Sequence, residues 1–204
     1  MTRIKICGLS RHEDIAAVNR WFPDYIGFVF AKSQRRVTPE QARSLKENLD
    51  SRIKAVGVFT NETVQAIAGL CEDGIIDIIQ LHGDETEEFI CALKQITACP
   101  VIKAIQVQSS EQILQAQGLS CDLLLLDTFE RGRYGGSGKT FSHSLIPALQ
   151  KPYFLAGGLQ NSNIVQAVAE CRPFAVDVSS GVETNGLKDE SKIRQIIETI
   201  RNMR

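Results

Sequence analysis

The sequence predicts an α/β protein, a single-domain (β/α)8 TIM barrel over residues 1–204, on three observations. Short apolar, β-branched runs recur about every 25 residues, several of them almost continuously hydrophobic, as parallel strands covered on both faces are. Segments of helical periodicity fill the intervals. Strand followed by helix, eight times, is the barrel pattern. A doubly wound open sheet shares that alternation, but eight units in 204 residues with no distinct second domain favour closure.

The runs, in order, are Arg3–Cys7, Tyr25–Phe30, Lys54–Phe59, Ile75–Leu81, Pro100–Ile105, Asp122–Asp127, Tyr153–Ala156 and Ala175–Val178. In the first run Ile4 and Ile6 share the face suited to packing under helices, which turns Lys5 and Cys7 toward the barrel axis. Helix starts are marked by Ser10-x-x-Glu13 and by Thr38-Pro39-Glu40-Gln41, two capping boxes, the second with proline at the first helical position. Asn61, Asp84, Ser110 and Asn161 are further candidate N-caps. Ile193, Ile196, Ile197 and Ile200 form an apolar stripe on the last helix.

Composition narrows the function classes. Hydrophobic residues make up 43%, charged residues 23%, and the net charge is -1, so nothing draws the chain electrostatically to nucleic acid or an anionic membrane. The opening MTRIKICGLS lacks the apolar run of a signal peptide, and no stretch approaches a membrane span. The six cysteines show no C-x-x-C pair and no zinc-like spacing, and read as reduced thiols of a cytoplasmic protein.

A barrel places its chemistry where the strands end, at their C-terminal ends and in the loops that follow. Ala156-Gly157-Gly158-Leu159 and the run from Asp177 through Ser180-Gly181 to Glu183 close strands seven and eight, where backbone N–H groups of such barrels often bind phosphate. Gly135 to Thr140 resembles a P-loop superficially, but Arg133 stands where that motif needs glycine. The segment reads better as an active-site lid. Cys7 closes strand one just before Gly8, and a neighbouring Lys5 ammonium would lower its pKa. Asp127 ends an otherwise apolar strand six, either as salt-bridged scaffolding or as a catalytic acid raised by its setting. His82 and Gln80 share a face at the end of strand four, where His82 is a ligand-binding candidate. Arg35 and Arg36 follow strand two and suit a carboxylate; position alone does not choose between them. Two proton-transfer groups beside a phosphate site point to an isomerase of a small phosphate ester. No metal set is evident, and that chemistry needs no cofactor.

These segments together resemble the phosphoribosylanthranilate isomerases. The similarity rests on Lys5-Ile6-Cys7-Gly8, Gly27-Phe28-Val29-Phe30, Ser33-x-Arg35-x-Val37-Thr38-Pro39, Gln80-Leu81-His82-Gly83, Leu125-Leu126-Asp127, Gly135 to Phe141, Ala156 to Leu159 and Arg172 to Glu183 in family order. It covers essentially the whole chain. The resemblance implies an Amadori rearrangement of a phosphorylated aminosugar in tryptophan biosynthesis, by a monomer or homodimer. It puts the general base on Cys7, the general acid on Asp127 and the carboxylate-binding arginine on Arg35. Phosphate would sit on Gly157, Gly158, Ser180 and Gly181, with Asp177 near the sugar hydroxyls. Other phosphosugar barrels are the alternatives. Sugar isomerases of histidine biosynthesis use paired aspartates, and indole-glycerol-phosphate synthase needs a catalytic lysine, for which Lys5 and Lys103 are the nearest candidates. A phosphate-binding module without chemistry is the third reading, against which the retained Cys7 and Asp127 argue.

Overall fold

The computed structural model describes residues 1–129 and 140–203. Eight strands pair in parallel and in sequence order: β1 (Arg3–Cys7), β2 (Tyr25–Val29), β3 (Lys54–Phe59), β4 (Ile78–Leu81), β5 (Val101–Val107), β6 (Leu123–Thr128), β7 (Tyr153–Leu155) and β8 (Ala175–Val178). β8 pairs back onto β1, with Lys5 opposite Asp177, and closes the barrel. The expected lid falls almost wholly within 130–139, outside the described residues.

Seven α-helices surround the barrel among the described residues: α1 (His12–Trp21), α2 (Pro39–Glu47), α3 (Val64–Glu72), α4 (Glu87–Ile96), α5 (Ser110–Ala116), α6 (Ile164–Cys171) and α7 (Glu190–Arg201). The eighth expected helix is absent from the described part of the β6–β7 connection, which carries a single 3-10 turn, His143–Leu145. Pro147 explains this, since it has no N–H to donate and forces Ile146 before it into extended backbone (φ -79°, ψ 109°). Phe141, Leu145, Ile146 and Leu149 still cover the outside of the barrel there. A small antiparallel hairpin, β9 (Glu183–Thr184) with β10 (Leu187–Lys188), follows β8.

The Thr38 capping box forms as read: Thr38 Oγ1 accepts from Gln41 N–H and Gln41 Oε1 accepts from Thr38 N–H. At α1 the reciprocal group is Asp14, not Glu13, and its carboxylate accepts from the N–H groups of Ser10 and Arg11. Three more caps lie one or two residues from the expected ones, at Thr63, Thr86 and Ser109, each accepting from the N–H three residues on. Asn163 rather than Asn161 precedes α6.

Two apolar layers hold the architecture. Ile4, Ile6, Ile26, Phe28, Ile79, Leu81, Leu124 and Leu126 pack outward under the helices, together with the α7 isoleucines. Val56, Ile102, Ala104, Leu125, Phe154 and Ala175 fill the lower barrel interior, against Tyr25 and Ile78. Alternation along each strand then leaves Lys5, Cys7, Gln80, Asp127 and Asp177 for the upper interior. No helix among the described residues is long and apolar enough to cross a membrane.

The opposite rim is fastened by a repeated device. Asp24, Asp77 and Asp122 each precede an even-numbered strand by one residue, and each accepts an N–H from the start of the preceding odd strand: Ile4, Ala55 and Val101, at 2.9, 2.7 and 2.8 Å. Arg201, Lys46 and Lys94 respectively supply the countercharge. These ion pairs are part-exposed and weak in themselves; the orphaned N–H is the larger stake. Asp122→Ala should therefore lower unfolding stability by about 1–3 kcal/mol. A urea midpoint unchanged from wild type would show that the clamp carries no such stabilisation.

Candidate active site

A cavity of about 630 Å3 opens at the C-terminal ends of the strands, a size suited to a small ligand. Cys7, Arg35, His82, Asp127, Gly157, Gly158, Asp177 and Ser180 all line it, and so does Gln80. Gly181 lies beneath, where a Cβ would overlap the Leu159 carbonyl, so this turn and the one after β7 interlock only as glycine. A slightly larger cavity of about 740 Å3 at the other end is lined by Met1, Arg3, Phe174 and Ile200 among others. Its described lining holds neither thiol nor carboxylate, whereas the first cavity has both.

Lys5 is completely buried at the centre of this layer. Its ammonium donates to Asp177 Oδ2 at 2.8 Å and to Gln80 Oε1 at 2.9 Å. Burial alone would pull its pKa down, yet the charges of Asp177 and Cys7 outweigh that and hold it above the ordinary lysine value. Gln80 Nε2 lies 2.9 Å from His82 Nδ1, and His82 Nε2 lies 3.2 Å from Asp127 Oδ2, close but out of line for a regular hydrogen bond. Asp127 Oδ1 accepts from the Thr128 N–H at 2.8 Å. Among the described residues, the buried Asp177 Oδ1 has no hydrogen-bond partner. The polar chain thus runs from β8 through β1 and β4 to β6.

Cys7 faces the cavity because Gly27 on the neighbouring strand leaves room: a Cβ there would come 2.6 Å from Cys7 Sγ. Burial pushes the Cys7 thiol up, Lys5 pulls it down, Asp177 pushes it up again and Lys188 pulls it down, and the net direction is up. The expected lowering by Lys5 is therefore present as a force but not as the outcome. Desolvation is stronger, because a thiolate loses its water here before any cation is counted.

Of the adjacent arginines, Arg35 lines the cavity and Arg36 is exposed. Arg35 crosses over Gly8, whose positive φ of 83° and missing Cβ allow the side chain to lie there. Its Nε and Nη2 grip Glu183 at 2.6 and 2.8 Å. Lys188 also binds Glu183, at 2.6 Å, and the Ser179 carbonyl at 2.9 Å. Burial works against the Glu183 charge, but these two cations hold its carboxyl below the ordinary range. Sequence reading gave no sign of this cluster around Arg35; Glu183 stood only at the end of a glycine-rich motif.

Removing the Lys5 charge should leave the Cys7 thiol harder still to ionise. In Lys5→Met, the pH dependence of Cys7 alkylation, isolated by difference against Cys7→Ala, should move to higher pH. An unmoved limb would mean that Lys5 does not act on the thiol.

Comparison with known proteins places this geometry. The family model described as N-(5'phosphoribosyl)anthranilate (PRA) isomerase matches residues 4–199. An N-(5'-phosphoribosyl)anthranilate isomerase of Lachnoclostridium phytofermentans is 44% identical, the match covering 96% of this chain and 95% of that one. The crystal structure of phosphoribosyl anthranilate isomerase from Thermotoga maritima superposes with a TM-score of 0.87 at 34% identity, with both chains fully covered. A phosphoribosyl anthranilate isomerase solved with reduced 1-(o-carboxyphenylamino)-1-deoxyribulose 5-phosphate is similar at a TM-score of 0.82 and 33% identity, again over both whole chains. The chain belongs to the N-(5'-phosphoribosyl)anthranilate isomerase family, isomerases of tryptophan biosynthesis.

Proposed function

We propose that the chain converts N-(5-phosphoribosyl)anthranilate to 1-(2-carboxyphenylamino)-1-deoxyribulose 5-phosphate by an Amadori rearrangement, with Asp127 as general acid and Cys7 as general base. The observation that carries the reading is the placement of the Cys7 thiol and the Asp127 carboxylate on separate strands of one cavity, beside glycine turns at its β7 and β8 side. Family membership supplies the substrate class, and a relative's bound ligand is the reduced product.

Asp127 gives its proton to the furanose ring oxygen as the bond from that oxygen to C1 breaks. The nitrogen lone pair fills the gap and leaves a cationic Schiff base at C1. That cation acidifies the C2–H bond, and Cys7 removes the proton. The bonding pair moves into C1–C2 and returns charge to nitrogen, forming an enol that tautomerises to the 2-ketone with a proton gained at C1. Backbone N–H groups at Gly157, Gly158, Ser180 and Gly181 hold the phosphate, where Gly157 and Gly158 have positive φ of 87° and 59°. Arg35 receives the anthranilate carboxylate on the guanidinium edge that Glu183 does not occupy. Asp177, tied to Lys5, serves the sugar hydroxyls with Oδ1, which has no partner among the described residues.

The rival barrel chemistries fit less well. A synthase-type catalytic lysine would have to be Lys5 or Lys103. Lys5 is locked between Asp177 and Gln80, and Lys103 between Glu85 at 2.7 Å and the Gly83 carbonyl at 2.6 Å. Asp177 is likewise held by Lys5, which does not suit the paired-aspartate scheme.

Cys7→Ala and Asp127→Asn should each lower turnover by roughly 10²–10⁴-fold while leaving binding of the reduced product nearly intact. The assay feeds the unstable substrate from anthranilate and phosphoribosyl pyrophosphate through anthranilate phosphoribosyltransferase and follows loss of its fluorescence. Wild-type rate in either variant removes that residue from its role, and no turnover by folded wild type removes the reaction.

A further inference from the structure

An ammonium can only donate hydrogen bonds, so the Gln80 atom 2.9 Å from Lys5 Nζ is its carbonyl oxygen. The Gln80 amide nitrogen then faces His82 Nδ1 at 2.9 Å and donates to it. A ring nitrogen that accepts carries no proton. In the neutral imidazole the proton must sit on Nε2, the buried nitrogen 3.2 Å from Asp127 Oδ2. Every bond from Lys5 onward therefore points the same way, and the last N–H arrives at Asp127.

We propose that Lys5 and Gln80 fix His82 as its Nε2–H tautomer, and that Gln80 and His82 are positioning residues that present this proton to Asp127 as it becomes a carboxylate. The proposal rests on the reading of Asp127 as the acid. When Asp127 yields its proton, the charge left on Oδ2 has the His82 N–H at hand, as Oδ1 already has the Thr128 N–H. The N–H is too far out of line to bond fully in the resting site and closes as the charge develops, which favours the transition state over the ground state. The role is that of a fixed donor, not of a base: His82 has no free lone pair to take a proton while Gln80 holds Nδ1.

Long-range 1H–15N spectra distinguish protonated from unprotonated ring nitrogens, and the chain has three histidines, so loss of one signal set in His82→Asn assigns His82. Wild type at pH 8 should show Nδ1 bare and Nε2 protonated. A protonated Nδ1 there overturns the chain, without recourse to any variant. Gln80→Glu keeps the shape and can accept from Lys5, but cannot donate, so Nδ1 should gain a proton. Its kcat should fall at least about tenfold with KM within about threefold. A Gln80→Glu protein with a protonated Nδ1 and wild-type kcat overturns the positioning role. If Asp127→Asn retains activity, the acid assignment fails, and the wild-type spectrum still decides the tautomer separately.

Discussion

A fully buried ammonium is the constraint on which this site depends. Lys5 has no solvent to stabilise its charge, so the carboxylate of Asp177 and the carbonyl of Gln80 must stand within bonding distance. Those two partners come from β8 and β4, so one side chain fixes the relation between nearly opposite walls of the barrel. It also sets which way the Gln80 amide turns, and with it the face that His82 shows to Asp127. Taking away one partner of such a pair strands a charge in a dry interior, which costs far more than the pair contributes when whole.

The barrel supports this polar layer by building it on a dry one. Below Lys5, the interior of Val56, Ile102, Leu125, Phe154 and Ala175 excludes water and packs the strands at a fixed radius. Above it, Cys7, Gln80, His82, Asp127 and Asp177 stand at or beside strand ends, where backbone geometry is set by neighbours on both sides. Desolvation has a second effect at Cys7. It raises the thiol, and two nearby ammoniums, Lys5 and Lys188, oppose that rise without reversing it. In the proposed role of Cys7 as base, strength and availability trade against each other in one residue.

Much of this was legible in the sequence, and for definite reasons. Near-continuous apolar runs revealed the strands, since parallel strands are buried on both faces. The same signal overextended β4 backward, because Ile75 and Ile76 are buried in the preceding turn just as a strand would bury them. Caps slipped by a residue or two where several Ser, Thr, Asn or Asp residues compete within one loop, and the eightfold strand–helix repeat does not register the break at Pro147. Cys7, His82, Asp127 and Asp177, which all line the cavity, could be picked out because a polar residue closing an apolar strand stands out. Their pairings across the barrel could not. Lys5 meets Gln80 and Asp177 across 75 and 172 positions, and Arg35 meets Glu183 across 148. No local pattern encodes contacts of that span; only barrel closure creates them.

The central claim is that a thiol and a carboxylate work on two atoms of one phosphorylated ligand held by the β7 and β8 turns. A crystal structure of this protein with reduced 1-(o-carboxyphenylamino)-1-deoxyribulose 5-phosphate tests it most directly. The account predicts phosphate against the backbone of Gly157, Gly158, Ser180 and Gly181, the carboxylate on Arg35, Cys7 Sγ within about 3.5 Å of C2, and Asp127 at hydrogen-bond distance from the oxygen on C4. Phosphate bound elsewhere, or C2 beyond reach of Cys7 with the site otherwise filled, would contradict it.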